Sequence, residues 1–159
     1  MLTRIANDHL TVDVSSLGAE MQTLTSSDGR DWLWNGDAAF WTGRSPILFP
    51  IVGKAPDNKL TINGTSYEMN QHGFARRSEF VLVESSAAKC RYELTASDAT
   101  RAVYPFAFRL SVDHILNGRT LTVAADVANV DEKPLPFGIG FHSAFLWPLP
   151  GAGRLHHTI

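Results

Sequence analysis

Two histidines stand where an imidazole could handle a proton or a hydroxyl group. In "PFGIGFHSAF" (136–145), His142 closes a run that reads as a strand. On a strand, Pro136, Gly138, Gly140 and His142 project one way, and Phe137, Ile139 and Phe141 the other. The odd positions then make a core face, while two glycines sweep the even face bare. Glycine inside a strand often marks the close approach of a ligand or of another backbone. A histidine beside such a surface suits a general acid or base touching a small ligand. It equally suits a hydrogen-bonded histidine at a packing point so crowded that only glycine fits.

His72 lies in "NQHGFARRSEF" (70–80), followed by Gly73, Arg76 and Arg77. A histidine and two arginines this close suit a polar pocket for hydroxyls or anions. The plainer alternative is a surface loop between hairpins, with solvated arginines. In "FWTGRSPILFPIVGK" (40–54), Arg44 and Lys54 bracket the apolar run from Ile47 to Val52. That run reads as a buried crossover whose flanking cations reach solvent or line a pocket. Trp32, Trp34 and Trp41 come just before. Aromatic rings floor carbohydrate sites because the apolar face of a sugar packs on them, and they are also ordinary large core residues. His156-His157 would need metal-binding partners that the sequence does not supply, so no metal site is expected. The single cysteine, Cys90, sits in an alternating segment and reads as a small core residue rather than a nucleophile. GxSxG, phosphate-loop and HExxH templates are all missing.

The elements that must position these residues are strands, because the dominant pattern has period two. Leu10, Val12 and Val14 alternate, and "AEMQTLTS" gives a second strand ended by Asp28-Gly29. "KLTINGTSYEM" is a hairpin with Asn63-Gly64 at its turn. "EFVLVES" and "KCRYELTAS" read as another antiparallel pair. In "PFAFRLSVDHIL", Phe106, Phe108, Leu110 and Val112 share one face, and Arg109, Ser111 and Asp113 the other. Leu121, Val123, Ala125 and Val127 form the matching stripe on the next strand, joined through Asn117-Gly118. One face buried and one wet is what an antiparallel sheet in a sandwich requires. No segment shows a helical period with caps, so the fold class is all-β and antiparallel. The chain is expected to be one β-sandwich domain over residues 1–159.

Composition excludes several classes. The 159 residues are 44% hydrophobic and 19% charged, an ordinary globular balance able to bury a core. A formal charge of −2 gives no electrostatic case for nucleic acid or an anionic membrane. No apolar window reaches the ~18 residues of a membrane span, and the N-terminus has no secretory h-region. One cysteine and no leader make the cytoplasm the default compartment.

The blocks "SLGAEMQTL", "RDWLWNGD", "FWTGRSPILFPIVGK", "NGTSYEMNQHGFAR", "YPFAFRLSV" and "VANVDEKPLPFGIGFHSAF", in that order, resemble the aldose 1-epimerase (galactose mutarotase-like) family, and within it the LacX-like branch. The resemblance runs from Leu10 to about Pro150, and "QHGFAR" and "PFGIGFH" are its most specific parts. It implies an antiparallel β-supersandwich that binds a free hexose and interconverts its α and β anomers without metal or organic cofactor. The histidine whose block matches His142 protonates the sugar ring oxygen, and the one matching His72 binds the ring region. Lys54 falls where the family has a sugar-contacting arginine; it keeps the charge and loses the bidentate fork. Arg76, and with it Arg44, are the other expected substrate-lining residues. Ser143 stands where a proline usually follows the histidine. The resemblance also implies that this chain matches only an N-terminal half, with the catalytic glutamate, a sugar-binding aspartate and the closing strands in the other half. Glu79 and Glu84 read as solvated strand residues. A half-sandwich would expose unpaired edges and tend to self-associate. Galactose, glucose and phosphorylated hexoses are all compatible substrates. A carbohydrate-binding module without turnover and an inactive fragment are the rival readings.

Overall fold

The computed structural model describes residues 1–156. Alternation becomes antiparallel strands throughout. β1 (Leu2–Ala6), β2 (Leu10–Ser15) and β3 (Met21–Ser26) make a three-stranded sheet in that order. Ile5, Val12, Val14 and Met21 are its buried face. The chain then runs through β4 (Ile47–Leu48) and a hairpin of β5 (Lys59–Ile62) and β6 (Thr65–Glu68), turned at Asn63-Gly64. β7 (Val81–Ser85) and β8 (Lys89–Thr95) lead through α1 (Asp98–Val103) into the long pair β9 (Phe108–Asn117) and β10 (Thr120–Asn129). These four strands form a second sheet, in the order β10-β9-β8-β7. Last comes β11 (Gly140–Phe141), which pairs with β4.

The two apolar stripes of the long pair do face each other. Leu110 faces Val127, Val112 faces Ala125, and Leu116 faces Leu121. Phe106, Phe108, Leu110 and Val112 are buried, and they join Ile5, Val12 and Val14 of the first sheet in one hydrophobic cluster. Tyr92 of β8 ties the two sheets together: its hydroxyl lies 2.7 Å from Thr3 Oγ1 and 3.3 Å from the Val14 carbonyl oxygen. That pairing satisfies a polar atom that would otherwise be costly to bury.

Two expectations need correction. α1 is a true helix, with a capping box in which Ser97 accepts from the Thr100 amide and Thr100 Oγ1 accepts from the Ser97 amide. Six residues are under two turns, too few to display a period of 3.6, and the box carries Thr where Glu or Gln is usual. The segment 136–145 is also not one strand with an odd core face. Only Gly140–Phe141 is strand, and Phe137 and Phe141 are about half exposed, at 46% and 53%. Opposite it run Pro46 and Pro50, whose carbonyls accept from the His142 and Gly138 amides while their own nitrogens carry no hydrogen. A ladder cannot propagate past residues that only accept.

Other readings agree with the structure. Cys90 is fully buried, and burial pushes its thiol up to about 11. Glu84 is exposed and pairs with Lys89 at 2.8 Å, and Glu79 is exposed. His157 lies outside the described residues. Among those residues, no helix is long and apolar enough to cross a membrane.

His114 of β9 sits across from Cys90 and Val123. It is fully buried, and its Nδ1 has no hydrogen-bond partner among the described residues. Burial pushes its pKa down to about 4, against roughly 6.5 in an unfolded chain. As pH falls from 6.5 toward 4, the unfolded state takes up a proton that the folded state refuses, so stability falls. At pH 5 the loss relative to pH 7 is expected to be on the order of 2 kcal/mol. Urea unfolding at the two pH values should show this loss in the wild type and remove about that much of it in His114→Gln. Equal losses in both proteins would disprove the assignment.

Candidate functional site

Two segments meet at one carbonyl, and a third pairs beside them. The Phe49 oxygen accepts from the amides of Phe74 and Ala75, at 3.0 and 3.1 Å, and Phe49 bridges Gly73 in parallel. Gly73 is required there twice over. Its φ is +71°, and a Cβ would lie 2.1 Å from the Phe49 oxygen. This contact fixes the 70–77 loop against residues 49–53. Just before it in the chain, residues 44–50 pair with residues 138–144, through Gly138 to Pro50, β11 to β4, His142 to Pro46 and Ala144 to Arg44. The fully buried Phe49 ring gathers Phe74, Tyr104, Phe108 and Phe137 around it, with centroids 5.2–6.2 Å away.

These contacts bring together two histidines 70 positions apart. The ring centroids of His72 and His142 are 6.3 Å apart. Trp41 stands edge-on to His142 at 5.1 Å. The three rings, with Gln71, Arg76 and Leu48, line a cavity of about 240 Å³. Beside it lies a larger concavity of about 400 Å³, lined by Glu20, Gln22, Thr42 and Arg77, and sharing Trp41 and Arg76 with the first.

His72 is held through both main chain and ring. Its amide donates to the Gly53 carbonyl at 2.7 Å, and the Gly53 amide donates to His72 Nδ1 at 3.0 Å. Because Nδ1 accepts, the neutral ring carries its hydrogen on Nε2. Nε2 is 3.2 Å from Gln71 Nε2, which also only donates, so the Nε2 hydrogen is left for another acceptor. His72 is thus built to donate from Nε2. Its pKa is lowered, first by burial and then by the charges of Arg76, His142 and Arg77. His142 is exposed and is anchored by its amide to the Pro46 carbonyl at 3.1 Å. Ser143, next to it, lies 2.6 Å from Ser45 through the two hydroxyls.

The basic residues separate into three positions. Arg76 lines both concavities and donates to the Gln71 carbonyl at 3.2 Å, and its buried Nε has no partner among the described residues. Arg44 lies outside both linings: its guanidinium donates to Gln22 Oε1 and to the Asn35 carbonyl. Lys54 is exposed and also outside both linings, one residue past the Gly53 clamp. Of the three tryptophans only Trp41 lines the site; Trp32 Nε1 donates to Ser26, and Trp34 Nε1 to the Trp41 carbonyl.

The glycines before His142 do not clear a ligand surface. A Cβ on Gly140 would lie 3.1 Å from Val52 Cγ2, and one on Gly138 would lie 3.6 Å from the Val52 amide. Residues 50–52 occupy the space beside both; the contact is tight at Gly140 and of ordinary van der Waals length at Gly138.

Glu20, Gln71 and Thr42 escaped the sequence reading. Glu20 Oε1 accepts from the amides of Arg44 and Ser45, at 2.7 and 2.8 Å. The only trace of this in the sequence is a carboxylate at the start of a strand, which is common. Among the described residues, no three His, Cys, Asp or Glu side chains could hold a metal ion together.

The sequence model of the aldose 1-epimerase family matches residues 1–158. The chain is 32% identical over 158 residues to the chromosomal protein LacX of Lactococcus lactis subsp. lactis, covering 94% of this chain and 52% of that protein. A galactose mutarotase related enzyme from Lactobacillus acidophilus superposes with a TM-score of 0.92 at 31% identity, covering 96% of this chain and 51% of that one. A galactose mutarotase-like protein from Lactobacillus casei gives 0.88 at 34% identity, covering 91% and 50%. The chain spans about half the length of the curated relatives it matches. The antiparallel supersandwich expected from the sequence is therefore the observed fold, present in part.

Two outcomes test this geometry. Arg76→Gln should raise the His72 pKa toward its ordinary value without restoring it fully, because burial is the larger cause. Ring-resonance NMR titration measures the shift, and an unchanged or lower His72 pKa would refute the arrangement. Gly73→Ala should lower Tm far more than Gly29→Ala. Gly29 shares a positive φ of +81°, but a Cβ there meets nothing within 4 Å. Equal Tm losses would show that backbone conformation alone, and not the Phe49 contact, demands glycine.

Proposed function

The chain belongs to the aldose 1-epimerase family, and from that premise we propose that its protein interconverts the α and β anomers of a free hexose. The observation that carries this reading is the pair of imidazoles 6.3 Å apart on one small cavity beside a tryptophan. Ring opening needs one proton delivered to the ring oxygen and one removed from the anomeric hydroxyl, within a single bound pose. His142 is the proton donor. It is exposed at the cavity, where an imidazole can both give and recover a proton.

His72 does the other half of the positioning. With its Nδ1 occupied by Gly53 and its Nε2 protonated, it donates a hydrogen bond to a sugar oxygen and orients the ring. Its lowered pKa keeps it neutral at physiological pH, so it does not repel the positive charge that His142 carries as an acid. Arg76 supplies further donors from the wall, and Trp41 packs the apolar face of the sugar. Once the proton has reached the ring oxygen, the C1–O5 bond breaks and the aldehyde forms. Rotation about C1–C2 and reclosure from the other face complete the exchange, and His142 takes its proton back. In this reading the base is a carboxylate supplied by the half of the fold that this chain does not span. Lys54 is a contact for outer hydroxyls of the sugar, and Arg44 supports the loop that carries Trp41.

Polarimetry on freshly dissolved α-glucose and α-galactose tests the scheme. The protein should speed equilibration, and His142→Ala should cut the rate by about 10²-fold or more, within the usual range for a lost acid–base group. The variant should stay folded, because His142 is exposed and anchors its segment through its backbone amide. His72→Asn, a residue that tolerates the +65° φ at this position, should raise KM. A folded His142→Ala protein with an undiminished rate would remove His142 from the chemistry. Sugar binding by calorimetry with no rate enhancement by the wild type would leave a carbohydrate-binding protein instead.

A further inference from the structure

Among the described residues the His142 imidazole makes no hydrogen bond; it meets two rings, Trp41 at 5.1 Å and His72 at 6.3 Å. Its place at the cavity is set by the backbone that carries it. We propose that Ser45 and Ser143 position this proton donor: the bond between their hydroxyls supplies a tie that the main chain lacks beside His142. The proposal rests on the acid role given to His142 above and adds two residues that act through it.

The shortage of main-chain bonds can be followed residue by residue. β11 and β4 pair Gly140 with Leu48 and Phe141 with Ile47. Continued, that register sets His142 opposite Pro46, Ser143 opposite Ser45 and Ala144 opposite Arg44. In an antiparallel ladder every second pair exchanges two bonds. Here the pairs at His142 and Ala144 make one each. The His142 amide donates to the Pro46 carbonyl at 3.1 Å, and Pro46 has no amide hydrogen to return. The Ala144 amide donates to the Arg44 carbonyl at 2.8 Å, but the Arg44 amide goes to Glu20 Oε1 and the Ala144 carbonyl takes the Trp34 amide. Toward residues 44–46 the segment gives main-chain bonds and receives none.

Between these half-made pairs stand Ser45 and Ser143. No main-chain bond crosses at such a pair, and its side chains are the ones that approach most closely. The two hydroxyls lie 2.6 Å apart, within the range of a full O–H···O bond. The Ser45 end is fixed. Ser45 is buried, its amide donates to Glu20 Oε1 at 2.8 Å, and Glu20 directly precedes β3. A path of bonds therefore runs from the first sheet through Glu20 and Ser45 to Ser143, the neighbour of His142. A buried hydroxyl is costly without a partner, so the Ser45 end favours keeping the bond even though Ser143 is exposed.

Polarimetry and amide hydrogen exchange decide it, on the wild type, Ser143→Thr, Ser143→Val, Ser45→Ala and the Ser143→Val/Ser45→Ala double variant. Thr and Val share a shape and differ by the hydroxyl. Misplacing a reacting group by about 1 Å can cost on the order of 10²-fold in rate; a segment that keeps its two main-chain bonds shifts less. Ser143→Val should therefore show kcat about tenfold below Ser143→Thr, with KM within about twofold, because His72, Arg76 and Trp41 are untouched. The double variant should fall no further than the worse single one, since both remove the same bond. The His142 and Ala144 amides should exchange about tenfold faster in Ser143→Val than in Ser143→Thr. Equal exchange in these two overturns the tie. Equal kcat, a change confined to KM, or additive losses in the double variant overturn the positioning role. A wild type that does not speed anomer exchange, with the contrast in amide exchange intact, removes the acid role of His142 and leaves the tie established.

Discussion

The site depends on one short contact between main chains. Gly73 lies so close to the Phe49 carbonyl that no side chain could be added, and that carbonyl takes the amides of Phe74 and Ala75. Take this contact away and only the Gly53 clamp ties the loop bearing His72 and Arg76 to the stretch that pairs with the His142 segment. Buried backbone groups must be paired. A carbonyl accepting two amides at the centre of an aromatic cluster is therefore a costly thing to separate. The ring of the same residue, packed among Phe74, Tyr104, Phe108 and Phe137, makes the separation costlier still.

Around that contact the site is built from loops, and the sheets stand behind them. His72 and Trp41 lie in irregular segments, Arg76 in a single 3-10 turn (Ala75–Arg77), and His142 lies one residue past a two-residue strand. Irregular backbone must find its hydrogen bonds individually, and here it does so through side chains and acceptor-only prolines. Glu20 caps the amides of Arg44 and Ser45, Pro46 and Pro50 offer carbonyls to the returning segment, and Gly53 closes a two-way clamp on His72. The result is a polar site whose members are oriented before a ligand arrives, the condition under which positioning lowers a barrier.

Much of the frame was legible from residue pattern. Alternation in β9 and β10 predicted the buried face and its matching stripe, because a strand's side-chain period is an integer and one wet face shows every error. Asn63-Gly64 marked its hairpin for the same local reason. What failed had no local signature. A six-residue helix is shorter than the pattern used to detect it. The glycines before His142 looked like a cleared ligand surface because strand parity says which way a position points, and not what comes to meet it; Val52 does. Arg44 and Arg76 look alike in sequence. One spends its guanidinium on Gln22 and Asn35, and the other faces two concavities.

The order of motifs along the chain therefore determined the family, the sandwich class and the two histidines worth watching, since all three are carried by residue type and spacing. The tertiary structure alone decided that His72 and His142 share one cavity, that Trp41 rather than Trp32 or Trp34 stands beside them, and that Glu20 supports the wall. The reason is physical. Each of these is a contact between segments tens of residues apart, set by which backbones can approach closely enough to bond, and approach depends on the partner as much as on the residue itself.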